Sequence, residues 1–252
     1  MPRDIAWIHH PHDLAGGASR LLDGALHLWR IRTDTSGMGL ELALSMLGER
    51  QRERAERMRH AAHRERYIRA QAGLRLILAR YLDTTPRAIR FEPGPAGKPY
   101  LPTDTRRLSF NLTTTGDLAL VALCTWEGPE SEIGVDCELM RPRIDIDGVA
   151  RRMFAPAVLD TLAATPEPQR REVFYRAWTA LEADAKTDGR GLFRARAEGA
   201  APPAIINVRP APGYMAAVAR ASLPPVDAWQ TWDLDPAGPE SGLATAFSDS
   251  LP

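Results

Sequence analysis

Residues 170–188 read as one long amphipathic helix, and no other stretch constrains the fold as strongly. Val173, Phe174, Ala177, Trp178, Leu181 and Ala185 recur at the three- and four-residue spacing of a single helical face. A stripe of that width has to be buried against another layer. Gly189-Arg190-Gly191 supplies the stop. The segments around this helix alternate or run apolar at strand length: 118–126, 132–139, 204–208, 215–221 and 228–234. A helix set among strands implies an α+β fold. Glu182 and Lys186 lie four apart on the helix. Taken alone, they make a surface ion pair worth a few tenths of a kcal/mol.

The strand at 132–139 carries a second charged pattern. In Ile133-Gly134-Val135-Asp136-Cys137-Glu138, Val135 and Cys137 face one side, and Asp136 and Glu138 the other. Acids are poor strand formers, and two neighbours on one face repel. The plain alternative is an exposed acidic strand face; a bound cation would relieve the repulsion. With Glu182 and Lys186, the two stretches look like a divalent-metal site with an ammonium beside it. That chemistry suits a phosphate or pyrophosphate.

The remaining chain fills in two halves. Residues 25–33 read as a strand, 40–59 as a helix, and 63–82 as a helix with a stripe of Tyr67, Ile68, Leu74, Ile77, Leu78 and Tyr81. Residues 86–91 read as a short strand, and Gly94 to Tyr100 as a rigid turn. A strand end at 108–112 leads into Thr113-Thr114-Thr115-Gly116, whose hydroxyls suit a phosphate or a turn. Helices are expected at 147–154 and 155–164, and a strand at 192–197. The pattern divides near residues 126–131 into halves 1–126 and 127–236. The Gly-, Ser- and Pro-containing stretch 237–252 is expected to be a disordered tail.

Composition narrows the function classes. Net charge is zero, which argues against general nucleic-acid or membrane binding. No apolar run approaches the roughly 20 residues of a membrane helix. The two cysteines, Cys124 and Cys137, form no disulfide scaffold, and the N-terminus has no secretory apolar region. A cytoplasmic protein is expected. His9-His10-Pro11-His12 is interrupted by proline and has no cysteine near it, so it is not read as a metal site. Residues 50–69 hold eight arginines against three glutamates, a locally basic stretch in which one or two arginines suit an anion. Of 32 basic residues only Lys98 and Lys186 are lysine, and lysine is the compact point charge suited to a tight phosphate contact.

Five ordered motifs resemble the Sfp-type 4′-phosphopantetheinyl transferases. That family carries a Gly-Lys-Pro loop, a Phe-Asn-x-Ser-His-Ser segment and an Ile-Gly-x-Asp-x-Glu strand. A Trp-x-x-Lys-Glu-x-x-x-Lys helix and Gly-x-Gly-Leu follow. The counterparts here are Gly97-Lys98-Pro99, the segment from Phe110 to Thr115, the strand from Ile133 to Glu138, the helix from Trp178 to Lys186, and Gly189 to Leu192. The resemblance spans about residues 40–220.

The resemblance implies two similar α+β halves related by a pseudo-twofold, with coenzyme A in the cleft between them. It implies a Mg²⁺-dependent transfer of 4′-phosphopantetheine from coenzyme A to a serine of an acyl or peptidyl carrier protein, in secondary metabolite biosynthesis, by a monomer. By position, Asp136, Glu138 and Glu182 would hold the metal, and Glu182 and Lys186 would be catalytic. Lys186 would also contact the pyrophosphate. Lys98 and Pro99 would border the nucleotide, Thr113 and Thr114 would approach phosphate, and Arg54 and Arg66 would reach the 3′-phosphate. Three positions depart from the family: Thr114 replaces its histidine, Leu181 its lysine and Val158 a glutamate. These changes remove polar groups around the site and imply weaker coenzyme binding or an altered carrier preference. Two other readings stay open: a family member that binds coenzyme A or a carrier without transfer, and an unrelated metal-dependent phosphotransferase or hydrolase.

Overall fold

The computed structural model describes residues 1–9, 25–34, 38–103 and 108–234. His10, Pro11, His12 and the stretch 237–252 lie outside the described residues. In chain order the strands are β1 Arg3–Asp4, β2 Ile8–His9, β3 His27–Arg32, β4 Glu92–Pro93, β5 Pro99–Tyr100, β6 Leu108–Thr115, β7 Leu118–Thr125, β8 Gly134–Leu139, β9 Ala204–Arg209, β10 Tyr214–Arg220 and β11 Gln230–Leu234. The helices are α1 Leu40–Met46, α2 Glu49–Glu56, α3 Ala61–Leu82, α4 Ile146–Met153, α5 Pro156–Ala164 and α6 Glu167–Thr187. The α+β class is as the sequence predicts. No described helix is long and apolar enough to cross a membrane.

Strands order as β2-β11-β3-β7-β6 in one sheet and β1-β9-β10-β8 in another, with β4-β5 a separate ribbon. The period-two alternation builds the layers. Trp29, Ile31, Ala119, Val121 and Leu123 face the helical side, where Ile68, Leu74, Ile77 and Leu78 of α3 pack on them. Leu28, Leu120, Ala122 and Cys124 face the other way, against Val135, Cys137, Val208, Ala216 and Val218 of the second sheet. On the far side of that sheet, Met215 packs with Phe174 and Tyr175 of α6. The arrangement is helix, sheet, sheet, helix. The terminal strands cross between the two sheets: β1 pairs with β9, and β11 with β2 and β3.

Four sequence expectations change. Residues 40–59 form two helices, because buried Leu47 turns extended and Gly48 starts α2. A Cβ on Gly48 would stand 2.7 Å from the Arg75 guanidinium, so the break admits that side chain. Residues 86–91 hold a 3-10 turn, Pro86–Ala88, and no strand; proline brings no N–H, and Arg75 takes the carbonyls of Pro86 (2.8 Å) and Ile89 (3.0 Å). Residues 192–197 are irregular, because Arg190 and Arg196 fold back onto Asp184 and Asp188 of α6. The threonine run is not a turn but the end of β6, where β-branched residues fit the pleat.

Candidate active site

Strand β8 turns Val135 and Cys137 into the core between the sheets, so Asp136 and Glu138 point toward α6. Gly134 sets how closely the helix approaches. A Cβ there would lie 2.0 Å from the Ala183 carbonyl oxygen and 2.8 Å from the Thr187 nitrogen. Without a side chain at 134, α6 settles on the strand, and residues one turn apart on the helix reach the acids. Lys186 Nζ lies 2.6 Å from Asp136 Oδ1 and 3.5 Å from Glu182 Oε2. The i,i+4 pair seen in sequence is therefore the weaker half of a three-residue bridge.

Asp136 is almost fully buried, at 2% exposure. Its Oδ1 also accepts from Thr113 Oγ1 at 3.1 Å, while Oδ2 is buried with no hydrogen-bond partner. Glu138 accepts from Thr115 Oγ1 at 3.2 Å. Burial and then the Asp136 charge push the Glu138 carboxyl above its ordinary value, and Glu182 adds to the rise. Glu182 is raised by the same two causes, against the pull of Lys186. For Lys186, burial works against the charge, but Asp136 and Glu182 outweigh it and raise the ammonium's pKa. The acid side is thus short of positive charge.

Among the described residues, no three His, Cys, Asp or Glu side chains stand as a ready-made metal cage. The Lys186 ammonium stands between Asp136 and Glu182. The donor set nevertheless fits a hard divalent cation: three carboxylates in electrostatic reach of one another, two held above their ordinary pKa, and one buried oxygen with no partner.

Two adjoining cavities lie near the site, and Glu182 lines the smaller. One, of about 300 Å³, is lined by Lys98, Asn111, Glu182, Lys186, Gly189 and Leu192 among others. The next, of about 600 Å³, includes Arg50, Arg54, Tyr67, Arg75, Arg90 and Phe91. Both share Gly97, Pro99 and Leu112, so the Gly-Lys-Pro loop and one β6 side chain form their common wall. The larger cavity is basic and aromatic: the Arg54 guanidinium lies 5.2 Å from the Tyr67 ring centroid, and that of Arg75 5.1 Å from Phe91. Gly94 keeps the loop closed on itself, since a Cβ would fall 1.9 Å from the Tyr100 ring.

The residues singled out in the sequence fall into three groups. Asp136, Glu138, Glu182 and Lys186 come together, and Arg54 and Pro99 line the neighbouring cavity. Lys98 also lines the smaller cavity, but its ammonium donates to Glu132 (2.7 Å) and to the carbonyls of Ile133 (3.1 Å) and Thr187 (2.7 Å). Thr113 is buried against Asp136, whereas Thr114 is exposed on the opposite face of β6. Arg66 pairs with Asp117 at 2.6 Å and lines neither cavity. Val158 packs into the α4–α6 core. Arg75 and Tyr67 line the larger cavity and Thr115 meets Glu138, roles that the sequence did not assign to them. Tyr67 was hidden in an apolar stripe, but Thr115 had a readable signal: its two-residue spacing from Thr113 matches that of Glu138 from Asp136.

Residues 132–235, which carry the acids and α6, match the 4′-phosphopantetheinyl transferase superfamily. The 4′-phosphopantetheinyl transferase HetI of Nostoc sp. is 33% identical over 190 residues, which is 75% of this chain and 76% of the relative. The transferase Sfp of Bacillus subtilis is 26% identical over 60% of this chain and 64% of its own. AcpT of Escherichia coli is 33% identical over 50% and 58%. This chain belongs to the 4′-phosphopantetheinyl transferase superfamily and is an enzyme of phosphopantetheine transfer.

Proposed function

We propose that this enzyme moves the 4′-phosphopantetheine of coenzyme A onto a serine hydroxyl of an acyl or peptidyl carrier protein, with Mg²⁺ at the acid site. The observation that carries the reading is the buried, unpartnered Asp136 Oδ2 next to Lys186, which with Glu182 lines a small cavity that adjoins a basic, aromatic one. Asp136, Glu138 and Glu182 would hold the metal, which when bound neutralises pyrophosphate oxygens as charge moves to the leaving group. The remaining work falls to the chain. Lys186 lies at the wall of the smaller cavity and meets a phosphate oxygen as a point charge. Arg54 offers a guanidinium to the 3′-phosphate from the larger cavity. Pro99 and the loop around it border the nucleotide. Glu182, with a carboxyl raised toward working pH, takes the serine proton directly or through an oriented water.

The balanced step forms a bond from the serine oxygen to the pantetheine-bearing phosphorus. It breaks the pyrophosphate bond, releasing adenosine 3′,5′-bisphosphate. To test it, the protein is incubated with coenzyme A, Mg²⁺ and a panel of apo-carrier proteins, and the carriers are weighed by mass spectrometry. A carrier should gain the phosphopantetheine mass. If a control transferase modifies the same panel and this protein modifies none, the carrier reading fails.

A further inference from the structure

Strands β6 and β8 lie side by side without a backbone ladder between them. Four amides of the β8 segment are bonded by β6 side chains instead. Ile133 N–H donates to Ser109 Oγ (3.3 Å), Val135 N–H to Asn111 Oδ1 (2.9 Å), Cys137 N–H to Thr113 Oγ1 (3.3 Å) and Leu139 N–H to Thr115 Oγ1 (3.2 Å). The three hydroxyls repeat a second contact. Each donates to the carboxylate one residue before its amide: Ser109 to Glu132 (3.3 Å), Thr113 to Asp136 (3.1 Å) and Thr115 to Glu138 (3.2 Å). The two-residue periods of the strands keep this seam in register.

A hydroxyl has one proton and accepts through its lone pairs. Where an amide occupies a lone pair, the proton is directed at the carboxylate. At Asp136, Thr113 and Lys186 both bond Oδ1, and Oδ2 is the oxygen left buried without a partner. At Glu138, Thr115 bonds Oε2 in the same way. We propose that Thr113 and Thr115 are positioning residues, which fix the carboxylate oxygen that Asp136 and Glu138 each present to the cation. This rests on the acid-site reading above. It gives the threonine run a task other than holding coenzyme phosphate: the seam that joins the two sheets also aims the acids.

Ser109 is an internal control, because it makes the same pair of bonds to Ile133 and Glu132 away from the acid triad. The test is Mn²⁺ binding to the full chain without coenzyme A, followed by electron paramagnetic resonance. The set is the unsubstituted protein, Thr113→Val, Thr113→Ser, Thr115→Val, Ser109→Ala and Asp136→Asn. Thr113→Val should weaken Mn²⁺ binding by about 10- to 100-fold, as loss of a ligand-orienting bond does. Thr113→Ser should stay within about threefold of the unsubstituted protein, and Ser109→Ala should match it. At saturating Mg²⁺, Thr113→Val should keep its KM for coenzyme A. Unchanged Mn²⁺ binding in Thr113→Val, an equal loss in Ser109→Ala, or failure of Thr113→Ser to rescue overturns the proposal. A rise in KM for coenzyme A with metal affinity intact also overturns it and makes Thr113 a phosphate contact. If Thr113→Val does not fold by circular dichroism, half-buried Thr115→Val carries the same comparison. Normal Mn²⁺ binding by Asp136→Asn, or none by the unsubstituted protein, brings down the acid-site reading itself and this proposal with it.

Discussion

The two lysines of this chain sit at opposite ends of one design. Lys98 and Lys186 each meet a carboxylate on or next to β8; Lys98 touches the last turn of α6, and Lys186 belongs to it. Lys98 is closed. Its side chain is 5% exposed, and its ammonium donates to Glu132 and to two main-chain carbonyls, which uses its three protons. Lys186 is open. Its side chain is 29% exposed, it lines the smaller cavity, and its two contacts are both carboxylates that lack positive charge. The difference lies in what surrounds the ion pair. Carbonyl acceptors complete a structural clamp, whereas surplus acid beside a cavity leaves charge for a ligand to answer. Both lysines survive in an arginine-rich chain, but survival alone does not distinguish clamp from site.

The largest effect expected is kinetic, at the open end. Glu182→Gln should lower kcat by at least about 100-fold through loss of proton acceptance and of a metal ligand. Single-turnover transfer within tenfold of the unsubstituted enzyme would remove Glu182 from the chemistry. The two lysines should then part company. Lys98→Met leaves the partly buried Glu132 without its counter-charge and two carbonyls without their donor, and should cost about 2–3 kcal/mol of stability. Lys186→Met should cost about 100-fold in kcat/KM. Because Asp136 would then lack its counter-charge, its metal-free melting temperature should also fall, and Mg²⁺ should restore it. Mg²⁺ should not restore Lys98→Met. Thermal melts with and without Mg²⁺ decide this, and equal rescue of both variants would erase the distinction between clamp and site.

A smaller effect is expected at the basic cavity. Arg54→Ala should raise KM for coenzyme A about tenfold, the equivalent of roughly 1.4 kcal/mol for one charge-assisted contact, with kcat nearly unchanged. A drop in kcat at unchanged KM would place Arg54 elsewhere in the reaction. The smallest effect concerns pH. The Glu138 carboxyl is raised, so its folded form favours the proton. Its contribution to stability is present below the ordinary value of 4.5 and is lost as pH rises through the raised one. In metal-free protein, Glu138→Gln should therefore match the unsubstituted protein near pH 4 and melt roughly 2 °C higher at pH 7. Mg²⁺ should reverse that order. A melting difference independent of pH would show that Glu138 carries no such strain.

Much of the layer structure was legible because it is local. The α6 stripe, the alternation in β7 and β8 and the shared face of Asp136 and Glu138 follow from periods of 3.6 and 2 that a few neighbouring residues encode. The turn that replaces the expected strand at 86–91 was not legible, because Arg75 captures its carbonyls from a helix over ten residues earlier. Nor was the split of residues 40–59, where Gly48 makes room for that same guanidinium.

For the site, local pattern supplies the parts: two acids on one strand face, Glu182 and Lys186 on one helix face, and two lysines among 32 basic residues. How they meet depends on the packing of the whole chain. Lys186 reaches Asp136 across fifty positions more closely than it reaches Glu182 four positions away. Gly134 is small because a helix lies on it, and the threonines are strand residues because a second strand needs their hydroxyls. Those contacts depend on which surfaces pack together. A local pattern states that a face will be covered, and the packing of the whole chain selects what covers it.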